Sequence, residues 1–233
     1  MPTLHKSKID DYAFDYLKNY YTQRHQAQDV FVFMDEKAKN GATADGLFTY
    51  CKADEDYSFV ATLNTKSSDK LAALLTKFKK GNFLKVCYAL TLLAVAAVAP
   101  VTFLFTENPI VTGILSLITV PLAYIACMLG HRFFCRRQLL NLVSTLKRLP
   151  ANQKWIGISI SSQAFRNNRL ADSFLDICRQ RGIGVMTVGK RSKVVLMLEP
   201  KTVTRRHGDF LSFYKSEMNI RKEALGDRIM RVA

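Results

Sequence analysis

The residues that could do chemistry are few and unevenly placed. Asp45 stands with Gly46 ahead of the apolar stretch 47–50, and Asp54, Glu55 and Asp56 stand together ahead of 57–64. Carboxylates can hold a divalent cation through hard oxygen ligands. Asp45-Gly46 also reads as a plain turn before a strand, and three consecutive acids in a turn point in different directions. The five cysteines, Cys51, Cys87, Cys127, Cys135 and Cys178, have no metal-ligand spacing, and the four histidines are scattered. That pattern suits a reducing cytosol and argues against a disulfide framework or a zinc site. Basic side chains that could meet phosphate are Arg166, Arg169, Lys190, Arg191, Lys193, Arg205 and Arg206.

These basic residues belong to a lopsided charge distribution. Residues 1–80 carry 12 Lys/Arg against 11 Asp/Glu, whereas residues 131–233 carry 21 against 7. A basic half of this kind can meet anionic headgroups or nucleic acid. It can equally be a solvated surface that follows the charge bias of membrane proteins.

The elements that would position these groups fall on both sides of an apolar middle. Residues 8–27 read as an amphipathic helix, with Ser7 as its cap and Ile9, Ala13, Tyr16, Leu17, Tyr20 and Tyr21 at helical spacing. The tyrosines read as core packing ahead of a stacking platform for bases. Strands are expected over 29–34, 46–52 and 57–64, with Asn40-Gly41 as a turn. Ser67 or Ser68 caps a helix over 69–80. After the middle come a basic helix over 133–149, a strand over 155–161, a helix over 169–181 closed by Gly182, strands over 183–188 and 194–198, and a last basic helix over 209–231. Gly182-Ile183-Gly184 follows a helix and precedes a strand, the reverse of a phosphate-binding loop. Ser159 and Ser161 do not sit on a nucleophile elbow. The fold class is therefore α/β, a mixed central sheet flanked by helices, with 169–181 crossing between parallel neighbours in the usual right hand.

The middle, residues 83–130, interrupts that domain. Residues 86–105 and 109–130 are runs of 20 and 22 residues without a charge, each long enough to cross a hydrocarbon core of about 30 Å as a helix. Only residues 106–108 separate them, which predicts an antiparallel transmembrane hairpin, with a kink at Pro121. A buried core helix is the competing reading of one such run and a poor one for two in succession. Lys77, Lys79, Lys80 and Lys85 precede the first span, and His131, Arg132, Arg136 and Arg137 follow the second. The positive-inside rule places both termini in the cytoplasm. Residues 1–15 are polar and charged, so no cleavable signal peptide is expected. The division is 1–82 and 131–233 as two halves of one cytosolic domain, with 83–130 between them.

This order of elements resembles the restriction-endonuclease-like fold of the PD-(D/E)xK nucleases. Ala44-Asp45-Gly46-Leu47-Phe48 is similar to the family's first acidic motif. Residues 59–64 with Lys66-Ser67-Ser68 stand where the family has its E-x-K strand and the following helix, and residues 155–160, 177–179 and 182–185 are similar to the back half of the fold. The resemblance implies a centre in which an Asp and a Glu hold a divalent metal and a Lys helps activate water. With Asp45 as the first acid, the Glu position falls on Thr62 and the Lys position on Asn64, and Lys66, in phase with Asn64, is a displaced Lys. The motif is therefore degenerate.

The expected function is non-enzymatic: a membrane-anchored nuclease-fold domain binding a protein or nucleic-acid partner at the cytoplasmic face, with no cofactor. One alternative is an active membrane-tethered nuclease, for example in genome defence, using Asp45, Lys66 and Mg²⁺. Another is an anionic-lipid-binding scaffold gripping headgroups with helices 133–149 and 209–231. A homo-oligomer stays open, although one hairpin per chain argues against a channel or transporter.

Overall fold

The computed structural model describes residues 6–27, 29–51, 58–106, 109–160, 165, 167–189, 193–205 and 208–225. The sequence's acidic turn 54–56, and Arg166, Lys190, Arg191 and Arg206, lie outside the described residues. Six strands form one mixed sheet whose spatial order is the chain order. They are β1 (Phe31–Lys37), β2 (Thr43–Cys51), β3 (Ser58–Asn64), β4 (Gln153–Ile158), β5 (Ile183–Val188) and β6 (Val194–Leu198). The first three are an antiparallel meander, β3–β4 and β4–β5 pair in parallel, and β6 returns antiparallel to β5.

Helix α1 (Lys6–His25) covers one face, as its apolar spacing requires. Ala13, Phe14, Leu17 and Tyr21 are buried against Phe48, Phe59, Leu63 and Trp155. The tyrosine stripe is thus core. The helix lies so close to β2 that a Cβ on Gly46 would sit 2.1 Å from Phe14 Cε1. The opposite face is shared. Helices α2 (Ser68–Lys79) and α5 (Arg169–Arg181) and the later part of α4 (Pro109–Lys147) pack with Ile156 and Ile158. Beside them the C-terminal segment packs Leu211, Tyr214 and Ile220 on Leu47 and Val60.

Several local expectations are corrected. β2 begins at Thr43, so Asp45-Gly46 is inside the strand and not a turn before it. Ser67 occupies the N-cap of α2 but makes no side-chain cap bond, while Ser68 Oγ accepts the N–H of Ser159 at 2.6 Å. The basic helix over 133–149 is not among them: it runs on from the second apolar run as part of α4, as expected, and α4 is helical on both sides of Pro121. The strand expected over 155–161 is two residues earlier at its start and ends at Ile158. The helix expected over 209–231 is broken among its described residues into a 3-10 turn, Leu211–Phe213, and α6 (Glu217–Leu225). The break exists because Tyr214 turns extended, bridges Ala38 and donates its hydroxyl to Pro150 O at 2.8 Å.

Helix α3 (Asn82–Thr106) and α4 form the interruption between β3 and β4. They pack antiparallel, with Tyr88 on Tyr124 at 5.4 Å between ring centroids and Cys87 Sγ 3.1 Å from Cys127 Sγ. Two segments within them, Lys85–Thr102 and Gly113–Lys147, are long and apolar enough to cross a membrane. Among the described residues, none from 83–130 belongs to the three apolar clusters that hold the sheet.

Candidate functional site

The ladder of the meander brings three polar residues into one row. Met34 pairs with Gly46 and Glu36 with Ala44, so Asp35 stands opposite Asp45. Gly46 pairs with Leu63, so the next step places Asn64 on the other side of Asp45. On β2 the residues alternate between Gly46 and Phe48 toward α1 and Asp45 and Leu47 toward the opposite face. On β3, Ala61 and Leu63 face α1 and Val60 faces away, so Thr62 and Asn64 share the face of Asp45. Strand periodicity therefore brings Asp45, Thr62 and Asn64 to one surface, as the sequence implies.

Asp45 is buried, and its bonds explain its position. Its Oδ2 accepts the backbone N–H of Thr65 at 2.7 Å and of Lys66 at 2.8 Å, with the Thr65 hydroxyl at 3.4 Å. These donors lie in the turn just before α2. Helix starts leave unpaired N–H groups and a positive dipole end. A buried carboxylate satisfies this turn, which Ser67 does not cap. The other oxygen, Oδ1, lies 2.9 Å from Lys66 Nζ as an ion pair without well-aimed hydrogen-bond geometry.

Lys66 also donates to Asp35 Oδ1 at 2.7 Å, so one ammonium stands between two carboxylates. The hydrogen bond that it donates to Asp35, and after it the pairing with the Asp45 carboxylate, hold the Lys66 amine above the ordinary lysine range. Lys66 stays protonated and cannot serve as a base. Asp35 is the residue that sequence reasoning missed. Its φ of 55° puts it in the left-handed region, which Asp tolerates better than most side chains. The register that pairs position 35 with 45 is set by a loop of residues 39–41, with Lys37 opposite Thr43, and the Asn40-Gly41 dipeptide alone does not fix it.

A second missed residue is Lys154, the cross-strand neighbour of Thr62. Desolvation, aided by the charge of Lys147, pushes its amine below the usual range, and Nζ donates to Lys147 O at 3.0 Å. Beside it, Thr62 Oγ1 and Asn64 Oδ1 are buried with no hydrogen-bond partner among the described residues. Thr49 Oγ1, on the same face of β2, is in the same condition.

This donor set does not fit the resident metal of a nuclease. Asp45 already serves two backbone donors and an ammonium. Thr62 and Asn64 bring neutral oxygens only. A divalent cation would have to displace the Lys66 ammonium from between Asp35 and Asp45. The arrangement fixes the β3–α2 turn and offers buried hydrogen-bonding atoms.

The three described residues among the basic candidates, Arg169, Lys193 and Arg205, do not share one end of the sheet. Arg169 opens α5 beyond the carboxyl end of β4, and Lys193 follows β5 at that same end of the sheet. Arg205 lies at the other end, because Val203 N–H binds Asn152 O just before β4 begins. Six strand residues, roughly 20 Å, separate the ends. Arg205 is also occupied: its Nη1 donates to Asp209 O at 3.0 Å, and its guanidinium lies 4.7 Å from the Phe213 ring centroid. It anchors the C-terminal segment. The chain matches no family model, no curated protein and no solved structure.

Proposed function

We propose that the chain is a membrane-anchored protein whose restriction-endonuclease-like domain has lost its nuclease centre and binds a nucleic-acid or protein partner at the cytoplasmic face. The fold reading is supported by the sequence of elements: a helix, a three-strand meander, a helical connection and a strand parallel to the third. The observation that carries the loss of catalysis is the Asp35–Lys66–Asp45 arrangement, with Thr62 and Asn64 where the family's Glu and Lys would stand.

The membrane reading is supported by what α3 and α4 leave outside. Of the first apolar segment, Lys85–Thr102, only 12% is buried. Leu92, Leu104, Leu117 and Ile110 are each more than 70% exposed. A core helix of a soluble domain would bury them, and each such side chain left in water forgoes about 1.5–3 kcal/mol. Lysines before α3 and arginines in α4 after Gly130 put both termini in the cytoplasm. Arg169 and Lys193 are the described residues placed to meet a partner there.

The test is the purified full-length protein with Mg²⁺ or Mn²⁺ and DNA or RNA. No cleavage is expected, and any nucleic-acid binding weakens steeply with salt. Cleavage that Asp45→Ala abolishes would overturn the reading and make Asp35 the second acid of an active centre. Absence of binding at low salt would leave a protein as the partner.

A further inference from the structure

The place where α4 leaves its apolar stretch carries a feature that shares only Arg169 with the partner-facing residues. A cleft of about 370 Å³ opens between α2, α4 and the start of α5, lined by Phe78, Arg132, Phe133, Arg136, Arg169 and Leu170. A second hollow of about 310 Å³ adjoins it, sharing Phe78, Arg132 and Arg169 and adding Met128 on its apolar side.

We infer that this cleft binds the phosphate headgroup of an anionic membrane phospholipid. Arg132 and Arg136 are four residues apart on α4 and so project from one face. Arg169 reaches the cleft from the first turn of α5, at the positive end of that helix's dipole. Among the described residues no carboxylate pairs with any of the three. Asp172, the acid nearest in sequence to Arg169, does not line the cleft. Three guanidiniums around one cavity repel one another, and a phosphate relieves that repulsion with paired hydrogen bonds.

The apolar half of the site selects a lipid over a free phosphate. Ile125, Leu129 and Phe133, at i, i+4 and i+8 on α4, are all more than half exposed. Phe133 lines the same cleft as Arg132 and Arg136. One α4 surface thus offers acyl chains an apolar track up to the point where the arginines take the phosphate. The inference rests on the membrane reading. It differs from a general basic surface because it names one cleft, includes Arg169, and leaves out α6.

The experiment uses full-length protein in phosphatidylcholine nanodiscs, with phosphatidylglycerol as the titrated lipid and bound lipid read by native mass spectrometry. Loss of one guanidinium near a membrane surface costs about fivefold in affinity. Arg132→Gln, Arg136→Gln and Arg169→Gln combined are therefore expected to weaken phosphatidylglycerol binding by about a hundredfold. Lys18→Gln, Lys37→Gln and Lys215→Gln combined remove equal charge from exposed positions elsewhere and are expected to change it less than threefold. Equal losses in the two triple variants would overturn the inference. Inorganic phosphate binding as tightly as the phospholipid would also overturn it, because the apolar track would then contribute nothing. Carbonate extraction of membranes separates the two failures: a protein released by carbonate refutes the membrane reading, whereas a retained protein without lipid preference refutes the cleft alone.

Discussion

Asp45→Ala is expected to lower the stability of the folded chain by about 3 kcal/mol, seen as a fall in thermal midpoint of roughly 10 °C. The residue is 7% exposed and accepts two backbone N–H groups from the turn that starts α2. Removing it leaves both donors without that acceptor, at about 1–3 kcal/mol for each one left buried and unpaired. The Lys66 ammonium is half exposed and keeps Asp35, so its share of the loss is small. Asp45→Asn keeps a side-chain oxygen for the turn and should recover most of the stability. Circular dichroism melts of the three proteins separate the readings. If Asp45→Ala melts like the wild type, the carboxylate is not an anchor, and the case for a structural role replacing a catalytic one fails.

Tyr21→Phe should cost a similar amount, about 2–4 kcal/mol, from the loss of a single oxygen. The Tyr21 hydroxyl donates to Gln153 Oε1 at 2.7 Å and accepts Trp155 Nε1–H at 2.7 Å. All three residues are buried between α1 and the sheet. Phenylalanine fills the same ring volume, so the loss reports the unpaired indole N–H and amide oxygen and not a cavity. Gln153 retains one bond, through Nε2 to Thr202 Oγ1 at 2.8 Å. Urea unfolding of the two proteins measures the difference. A change under 0.5 kcal/mol, a size ordinary for surface substitutions, would show that the Tyr21 hydroxyl does not help to hold α1.

Much of the fold was legible because local chemistry and global position agreed. Helix α5 has the predicted bounds: the Asn168 side chain accepts from the N–H groups of Leu170 and Ala171 at its start, and Gly182 takes φ 68° at its end. β5 and β6 also match, since short β-branched runs bounded by glycine and charge have few alternatives. The candidate site was half legible. Period-two alternation put Thr62 and Asn64 on one face with Lys66 in phase, whereas Asp45 was joined to them only through the resemblance. Asp35 escaped because partnership across β1 and β2 depends on register, which no single stretch encodes. The C-terminal helix was overextended because its break comes from distant contacts of Tyr214 with Ala38 and Pro150. Which of the basic residues lie near one another was not legible for a related reason: Arg169 and Arg205 sit at opposite ends of the sheet, a separation set by the strand order.

The hairpin organises the rest. Helix α2 and the later part of α4 carry Leu71, Leu75, Leu139 and Val143 into one apolar cluster under the sheet, while residues 83–130 carry nothing described into it. They are two parts of one connection between the parallel strands β3 and β4, with residues 83–130 between them. The direct measurement is thermal unfolding of a variant lacking residues 83–130, with the gap closed by a short loop. The account predicts a protein recovered without detergent that unfolds in one cooperative transition. An aggregated product, or one without a cooperative transition, would contradict it.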